Sequence, residues 1–227
     1  MDIVYVLGVQ SLWQNKELYY SLLSVKKYLT GYRNIYIVGA HPGFEGDFIH
    51  IDHPDRGDKD TNIYDKTARA CYEKGITDNF LFMNDDVFFC KPMHVNDIPD
   101  SYIGMLEDRM YKVSCPDYAH VLGNTYAALQ SRRLPTKDFD GHMPIVYHKK
   151  LFIKATKQYN WGVKDGYAVK SIYFNTHRIV GELVTDLKIG KPETDIPALL
   201  KDRWCFSVGD SGLTNLMKTF LREFFEC

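Results

Sequence analysis

Short apolar runs alternate with amphipathic stretches along the first ninety residues. The run at 3–7 (IVYVL) is apolar throughout and ends at Gly8, and shorter, mostly apolar runs follow at 34–39, 48–51 and 80–83. Continuous apolar runs of this length are typical of parallel strands that are buried on both faces. We therefore predict four strands at these positions.

Two helices are predicted between these strands. The first covers 17–29, with Asn15 as its candidate N-cap, and apolar residues recur in it at helical spacing. The second covers about 62–74 and is stopped by Gly75. The face of the first helix that is predicted to pack on the sheet comprises Leu18, Leu22, Val25 and Leu29.

The order of these elements, β-α-β-β-α-β, predicts an α/β domain with a mostly parallel sheet flanked by helices. Ligands bind such sheets outside the carboxyl ends of the strands. The polar turns at 8–15, 39–42, 53–62 and 84–86 lie at those ends, so we expect a ligand site there. Since no repeat or linker interrupts the chain, we interpret 1–227 as one domain. Downstream, helices are predicted at 119–132, 149–159, 165–174 and 212–225, and a polar loop at 132–141.

Composition limits the class of protein. Hydrophobic residues make up 45% and charged residues 25% of the chain, the balance of an ordinary globular protein. The formal net charge of −1 excludes a polycation that binds nucleic acid or membrane through its overall charge. No run approaches the ~20 apolar residues of a membrane helix, and the N-terminal apolar run is too short for a signal peptide. The five cysteines form no CxxC pair. We therefore expect a cytoplasmic protein without a membrane partner.

The first candidate site is Asn84-Asp85-Asp86, directly after the predicted strand at 80–83. Two adjacent carboxylates repel each other, and a divalent cation supplies the missing countercharge. Hard oxygen ligands suit Mg²⁺ or Mn²⁺, which would bridge the diphosphate of a nucleotide. The alternative is a turn in which an aspartate caps the next element. We predict that Asp85 and Asp86 are metal ligands.

Two further groups carry candidate chemistry. His142 lies in a turn at 141–144 outside regular structure, where it or Asp140 can act as a base. A lone histidine is more often an ordinary core or surface residue. Asn62 and Lys66 lie one helical turn apart near a predicted helix start, where the helix dipole favours phosphate. A solvated helix face is the alternative for this pair.

One basic stretch stands out in the predicted helix at 149–159. Its lysines recur at a spacing that places three of them on one face. A solvated helix is the plain interpretation, and the phosphates of a DNA acceptor are the sharper alternative. The candidate acceptor-binding residues are Lys150, Lys154 and Lys157.

Taken together, the ordered motifs resemble the Stealth family of sugar-phosphate transferases and the small phage and bacterial glycosyltransferase-like proteins related to it. The matching blocks are 2–6 (DIVYV), 15–25 (NKELYYSLLSV), 35–38 (IYIV), 80–89 (FLFMNDDVFF) and 142–144 (HMP). The combination is more specific than any single block. The resemblance implies the GT-A fold of nucleotide-diphospho-sugar transferases, with Asp85 and Asp86 at the metal and His142 in the active site.

The resemblance further implies that the two halves of the domain bind different substrates. Residues 1–90 are expected to bind a nucleotide-sugar donor, for which we predict a uridine diphosphate sugar, and 91–227 to bind the acceptor. The expected catalytic residues are His142, Asp140 and Asp86. The expected donor-binding residues are Leu7, Gly8, Gly39, Asn62, Lys66, Asn84, Asp85 and Lys164.

Departures from the family pattern change the expected reaction. Tyr19 stands where the family has arginine, and Lys66 is the nearest candidate for a glutamate that is usual in the preceding helix. Because phosphotransfer depends on the full set of charged residues, we predict glycosyl transfer, with sugar-1-phosphate transfer as the alternative. The predicted acceptor is 5-hydroxymethylcytosine in phage DNA, and a surface carbohydrate is its competitor. An inactive nucleotide-binding module and a metal-dependent nuclease are alternatives from other classes.

Overall fold

The computed structural model describes residues 1–9 and 11–226, which form an α/β fold with a mostly parallel central sheet. The strands are β1 (Asp2–Leu7), β2 (Leu29–Thr30), β3 (Ile35–Gly39), β4 (Ile49–Asp52), β5 (Asn79–Met83), β6 (Val87–Phe89), β7 (Met93–His94), β8 (Ser101–Tyr102), β9 (Ile145–His148), β10 (Glu182–Leu183), β11 (Lys188–Ile189) and β12 (Cys205–Val208). The α-helices are α1 (Lys16–Tyr28), α2 (Lys59–Tyr72), α3 (Leu106–Arg109), α4 (Pro116–Gln130), α5 (Lys149–Thr156), α6 (Val169–Thr176), α7 (Ile196–Leu200) and α8 (Asn215–Glu226), with short 3-10 helices at Val95–Asp97 and Asp210–Gly212.

The central sheet has the strand order β4-β3-β1-β5-β9. The first four strands are parallel, which confirms the mostly parallel sheet expected from the apolar runs. The last strand, β9, pairs with β5 in the antiparallel direction, with Phe82 opposite Ile145. The chain therefore returns to the carboxyl end of β5 just before β9 begins.

Alternate residues of β1 face two different cores, as the pleat of a strand requires. Ile3 and Tyr5 pack on the side of α1 and contact a core that includes Leu18. Val4 and Val6 pack on the opposite side, in a core to which α2, α5 and α6 contribute. Helices on both faces explain why this strand is buried along its whole length and reads as a continuous apolar run.

A small second sheet joins the C-terminal part of the chain to the end of the central one. Its strand order is β11-β12-β6, and β12 runs antiparallel to β6, so that Phe206 lies opposite Phe88. Both rings are fully buried and contact a core completed by α8. The segment that follows β5 is therefore fixed by residues more than a hundred positions later in the chain.

Several predicted helix boundaries are wrong, each for a local reason. The helix predicted at 165–174 begins only at Val169, because Gly166 has a left-handed φ of +70° that a helix cannot contain. The helix predicted at 149–159 ends at Thr156, and the one predicted at 212–225 begins at Asn215, after a 3-10 turn.

The predicted capping role of Asn15 is also wrong. Asn15 occupies the N-cap position of α1, but its backbone is left-handed (φ 58°) and its side chain caps no helical N–H group. Its amide nitrogen instead donates to the carbonyl oxygen of Pro42 at 3.0 Å. The residue therefore ties together the two loops that follow β1 and β3.

The lengths and polarity of the helices bear on membrane insertion. Within residues 1–9 and 11–226, each helix is too short or too polar to cross a lipid bilayer.

Candidate functional site

The carboxyl ends of β1 and β3 approach each other so closely that a side chain between them is excluded. Gly39 ends β3 with φ +130°, and a Cβ atom added there would lie 2.1 Å from the carbonyl oxygen of Leu7. That oxygen accepts a hydrogen bond from the N–H of Ala40 at 3.0 Å. Two of the predicted donor-binding positions, Leu7 and Gly39, are thus brought together, and Gly8 follows directly.

Lys66 lies next to this close approach of β1 and β3. Its side chain is nearly buried, with 4% of its surface exposed, and its ammonium group pairs with the Oδ1 atom of Asp55. The other carboxylate oxygen of Asp55 accepts a hydrogen bond from the N–H of Val9 at 3.3 Å. The predicted phosphate ligand is therefore held at the strand ends by a carboxylate that also holds the loop after β1.

Asn62 has a structural role in the loop before α2. Its Oδ1 atom accepts from the N–H groups of Arg56 at 2.8 Å and Gly57 at 3.1 Å. Its Nδ2 atom donates to the carbonyl oxygen of Gly57 at 2.9 Å. Both polar atoms of the amide therefore bond within this turn, which gives Asn62 a structural role.

Asp85 and Asp86 follow β5 at the same edge of the sheet, after Asn84, and both are half-buried. Burial, reinforced by the nearby carboxylates of Asp86 and Glu17, holds the pKa of Asp85 well above its usual range. Asp86 is fixed by the small second sheet, since its Oδ2 atom accepts a hydrogen bond from the hydroxyl of Ser207 at 2.9 Å. The two adjacent carboxylates therefore concentrate negative charge at one place on this edge of the sheet.

This pair fits a divalent cation in its chemistry, because the donors are hard carboxylate oxygens whose repulsion a cation relieves. In the described part of the chain, no group of three or more His, Cys, Asp or Glu side chains is placed to hold a metal ion. A cation at Asp85 and Asp86 would therefore need further ligands from water and a substrate. Mg²⁺ commonly binds in this way, through one or two carboxylates and the phosphates of a nucleotide.

His142 lies in the loop before β9, and polar groups contact it from two sides. Its backbone N–H donates to Asp186 Oδ1 at 2.9 Å, and its ring Nδ1 lies 3.0 Å from Asp186 Oδ2. On the other side of the ring, the ammonium of Lys188 lies 3.0 Å from Nε2. Burial favours the neutral form of Asp186, but the hydrogen bonds that the ring and backbone of His142 donate to this carboxyl outweigh it and hold its pKa below the usual range.

A buried lysine supports the loop that carries His142. The ammonium of Lys170 donates to the carbonyl oxygens of Gly141 at 2.8 Å and Met143 at 3.0 Å, on either side of the histidine. Burial lowers the pKa of Lys170, although surrounding carboxylates led by Asp140 favour its charged form. Lys170 therefore lies behind the loop and links the carbonyl groups on either side of His142.

Asp140, the alternative predicted base, caps a helix. Its Oδ2 atom accepts from the N–H of Ser171 at 2.8 Å and from the Ser171 hydroxyl at 2.7 Å, in the first turn of α6. A second carboxylate, Asp60, lies near it, and burial together with Asp140 raises the pKa of Asp60 to about 7. Since the carboxylate of Asp140 is engaged by the helix, His142 is the better placed of the two predicted bases.

Lys164 is exposed in the loop before α6. Its carbonyl oxygen accepts a hydrogen bond from the Asn124 side chain at 2.9 Å. Two residues later, Gly166 packs on the first turn of α2, where an added Cβ atom would lie 3.0 Å from the hydroxyl of Thr61. The loop that carries Lys164 therefore borders the start of α2.

The structure does not bring the predicted acceptor-binding lysines together with these residues. The N–H of Lys149, the first residue of α5, donates to the carbonyl oxygen of Asp78 at 2.8 Å, immediately before β5 begins. Helix α5 thus starts at the amino end of the sheet, opposite to the edge that carries Asp85. Lys150, Lys154 and Lys157 are exposed on this helix and at its end, as is Leu151.

Fold and geometry together define an α/β protein with a cluster of charged side chains at the carboxyl edge of its parallel strands. No protein-family model matches the chain, and no curated protein matches its sequence significantly.

Sequence reasoning missed the partners that hold the predicted site residues. Three of them lie inside α6, β11 or β12 without any motif of their own, and they reach the strand ends only in the folded chain. A signal existed for one of them, because Asp55 lies in the polar turn at 53–62. The missed residues are Asp55, Lys170, Asp186, Lys188 and Ser207.

Proposed function

We propose that this protein transfers a glycosyl group from a nucleoside diphosphate sugar to an acceptor hydroxyl, with a divalent cation at Asp85 and Asp86. The observation that carries the proposal is the pair itself: two adjacent half-buried carboxylates at the carboxyl end of β5, one with a raised pKa and the other held by Ser207. A divalent cation bound with the substrate would relieve the repulsion between these carboxylates. The same cation would offset the negative charge of the leaving diphosphate.

The sheet supports the position of the donor. Counting only the strands of the central sheet, the order is 3-2-1-4, followed by an antiparallel strand. The two directions of winding meet between β1 and β5, and ligands of open α/β sheets bind at such a point. We place the nucleoside of a uridine diphosphate sugar beside Leu7 and Gly39, and its diphosphate beside Asp86. The cation, Mn²⁺ or Mg²⁺, would neutralise the charge that develops on the leaving diphosphate.

The residues around His142 support activation of the acceptor. In an inverting transfer, the acceptor hydroxyl gives its proton to the imidazole as its oxygen bonds to the anomeric carbon and the bond to the diphosphate breaks. His142 is the base that we propose for this step. In a retaining transfer the leaving diphosphate takes the proton instead, so the anomeric configuration of the product distinguishes the two routes.

Sugar-1-phosphate transfer is the second candidate reaction, and one observation favours it. The ammonium groups of Lys188 and Lys170 flank the His142 loop. Two cations on the acceptor side of the site suit a transferred group that carries phosphate. Mass analysis of the product separates the two reactions, because only this one leaves a phosphodiester and releases a nucleoside monophosphate.

A donor panel tests the proposal. The purified protein is incubated with uridine, guanosine, cytidine and thymidine diphosphate sugars and Mn²⁺, and thermal shift and released nucleotide are measured. We expect one donor to raise the Tm and to be hydrolysed slowly, and Asp86→Asn to abolish both effects. Asp202→Asn, an exposed aspartate in another part of the chain, is the matched control. A panel in which no donor binds or reacts, with the protein folded, contradicts the proposal.

A further inference from the structure

The contacts of His142 fix the position of its proton. Asp186 Oδ2 lies 3.0 Å from Nδ1, and an ionised carboxylate only accepts hydrogen bonds, so Nδ1 carries hydrogen. Lys188 Nζ lies 3.0 Å from Nε2, and an ammonium only donates, so Nε2 presents a lone pair. The contact with Asp186 places a hydrogen on Nδ1, and the contact with the Lys188 ammonium leaves Nε2 without one, so the two neighbours together select the neutral Nδ1–H tautomer.

The fold holds both neighbours in place. Asp186 is held at both carboxylate oxygens, since it also accepts the backbone N–H of His142 at 2.9 Å. Lys188 begins β11 and lies opposite Ser207 in the parallel pairing with β12. Ser207 in turn binds Asp86. The pairing of β11 with β12 therefore positions both the Lys188 ammonium near His142 and the Ser207 hydroxyl near Asp86.

We infer that Asp186 and Lys188 are positioning residues: Asp186 keeps the proton of His142 on Nδ1, and Lys188 covers the Nε2 lone pair until an acceptor hydroxyl displaces it. The role of the acceptor in this inference rests on the proposed function, whereas the tautomer does not. When the hydroxyl takes the place of the ammonium, it donates to Nε2. During transfer its proton moves onto Nε2, its oxygen bonds to the anomeric carbon, and the electron pair of the broken bond leaves with the diphosphate.

Asp186→Asn gives a sharp test because an amide has only one oxygen. If the His142 backbone N–H retains that oxygen, the NH₂ group of the amide faces Nδ1 and the ring proton must move to Nε2. The same substitution behind the histidine of a serine protease triad leaves the geometry intact and produces the wrong tautomer. In this protein the new Nε2–H would also oppose the Lys188 ammonium.

The measurement is the ¹⁵N spectrum of the histidine rings at a pH where they are neutral, recorded on the full chain without donor. The chain has eight histidines, so His142→Gln assigns the signal. We expect Nδ1 protonated and Nε2 unprotonated in the wild type, and the reverse in Asp186→Asn. Lys188→Met should keep the tautomer but shift the Nε2 resonance, and Lys188→Arg should restore it.

Matched controls are Asp202→Asn and Lys191→Met, which alter exposed residues and should leave the His142 signal unchanged. Backbone amide spectra show whether each variant is folded. A wild-type ring with its proton on Nε2 overturns the inference, as does a folded Asp186→Asn variant that keeps the wild-type tautomer. Neither result depends on whether the protein is a transferase.

The kinetic arm applies once a donor and an acceptor are known. Asp186→Asn should lower kcat by about 10²–10⁴-fold with little change in KM, the usual contribution of a general base. If no donor turns over in the wild type, the proposed function fails while the spectra still decide the tautomer. If turnover is present and the spectra contradict the tautomer, only the positioning roles fail.

Discussion

At the residue scale, the charged groups of the site are held by contacts that compensate one another. Asp55 pairs with Lys66, Ser207 binds Asp86, and Asp186 pairs with His142. The exception is Asp85, whose raised pKa reflects burial beside like charges without an opposing partner of equal weight. The strongest functional prediction therefore concerns this pair of aspartates.

Asp86→Asn should reduce transfer at least about 100-fold, because the cation loses an anionic ligand while the amide retains the shape of the side chain. The free energy of unfolding should change by less than about 1 kcal/mol, since the amide oxygen still accepts from Ser207. Initial rates across a Mn²⁺ titration and urea unfolding check both parts. Full activity of the variant, or of the wild type in excess chelator, would exclude a metal role.

Asp60 predicts a pH dependence of stability. Its pKa is raised to about 7 in the folded protein, above the ordinary value that applies to the unfolded chain. The folded state therefore binds the extra proton between roughly pH 4 and 7, and stability from this group is lost as the pH rises through that window. Asp60→Asn removes the penalty, so its Tm should exceed that of the wild type by about 5 °C at pH 8 and by less at pH 5.

Thermal unfolding at several pH values measures the Tm difference between Asp60→Asn and the wild type. Asp202→Asn is the control, because an exposed carboxylate should give a difference near zero at each pH. A Tm difference for Asp60→Asn that stays constant from pH 5 to pH 8 would show that Asp60 is ionised throughout.

Two glycines with left-handed backbones separate steric exclusion from backbone strain. A Cβ atom at Gly39 (φ +130°) would meet Leu7 O at 2.1 Å, whereas at Gly43 (φ +85°) nothing lies within 4 Å. Gly43→Ala should therefore cost about 1 kcal/mol of stability, and Gly39→Ala at least about 2 kcal/mol more together with loss of donor binding. Chemical denaturation and donor thermal shift test this, and equal costs would contradict the close approach of β1 and β3.

At the element scale, α1 covers one face of the sheet as its apolar pattern predicts. Three of the four predicted residues are buried, and Leu22 is only half-buried. The spacing of the apolar residues predicts the helix face on which each one lies. How exposed a residue is also depends on loops from elsewhere in the chain that lie over that face. Leu22 instead lines a groove of about 490 Å³ together with residues 44–49.

This difference gives a matched pair of truncations in one helix. Leu18→Ala removes a fully buried side chain and should cost ~2–5 kcal/mol. Leu22→Ala should cost clearly less, because the shortened side chain leaves no enclosed cavity. Urea unfolding of both variants gives the comparison. Equal losses would mean that burial in the α1 core does not set the contribution of these leucines.

At the scale of the whole molecule, the sequence predicted the parts of the fold that local pattern determines. The four parallel strands were confirmed within one or two residues. Burial was predicted correctly for β1, β3 and most of β5, whereas β4 lies at the edge of the sheet and has exposed ends, so the burial expected on both of its faces is wrong. The short strands, such as β6 and β12, carry no periodicity, and only their pairing across the chain defines them. The same holds for the site residues. Asp85 follows a strand that the sequence predicts, whereas Asp186 and Lys188 are recognised as site residues only through their contacts with His142.

The exposed lysines of α5 give a prediction about acceptors. Replacing Lys150, Lys154 and Lys157 by alanine should leave donor hydrolysis within about twofold, because α5 starts at the opposite end of the sheet. With hydroxymethylated duplex DNA as acceptor, the variant should bind fewer phosphates. Its KM should therefore rise, and the slope of its log–log salt dependence should flatten by about 0.9 for each phosphate that is no longer bound.

A salt series on wild type and triple variant decides between the acceptors. Equal KM values and equal salt slopes would remove this helix from acceptor binding. Transfer to an uncharged carbohydrate, with little salt dependence in either protein, would identify the competing acceptor.

The hydrogen bond between Ser207 and Asp86 has a consequence for synthesis of the protein. The ribosome has completed β1 to β5 once it passes Met83, but the partner of Asp86 emerges only with β12. A nascent chain halted before Cys205 therefore displays both aspartates with neither the serine nor the ladder that orders them. The ordered arrangement of the two aspartates is therefore acquired late in translation, once β12 has left the exit tunnel.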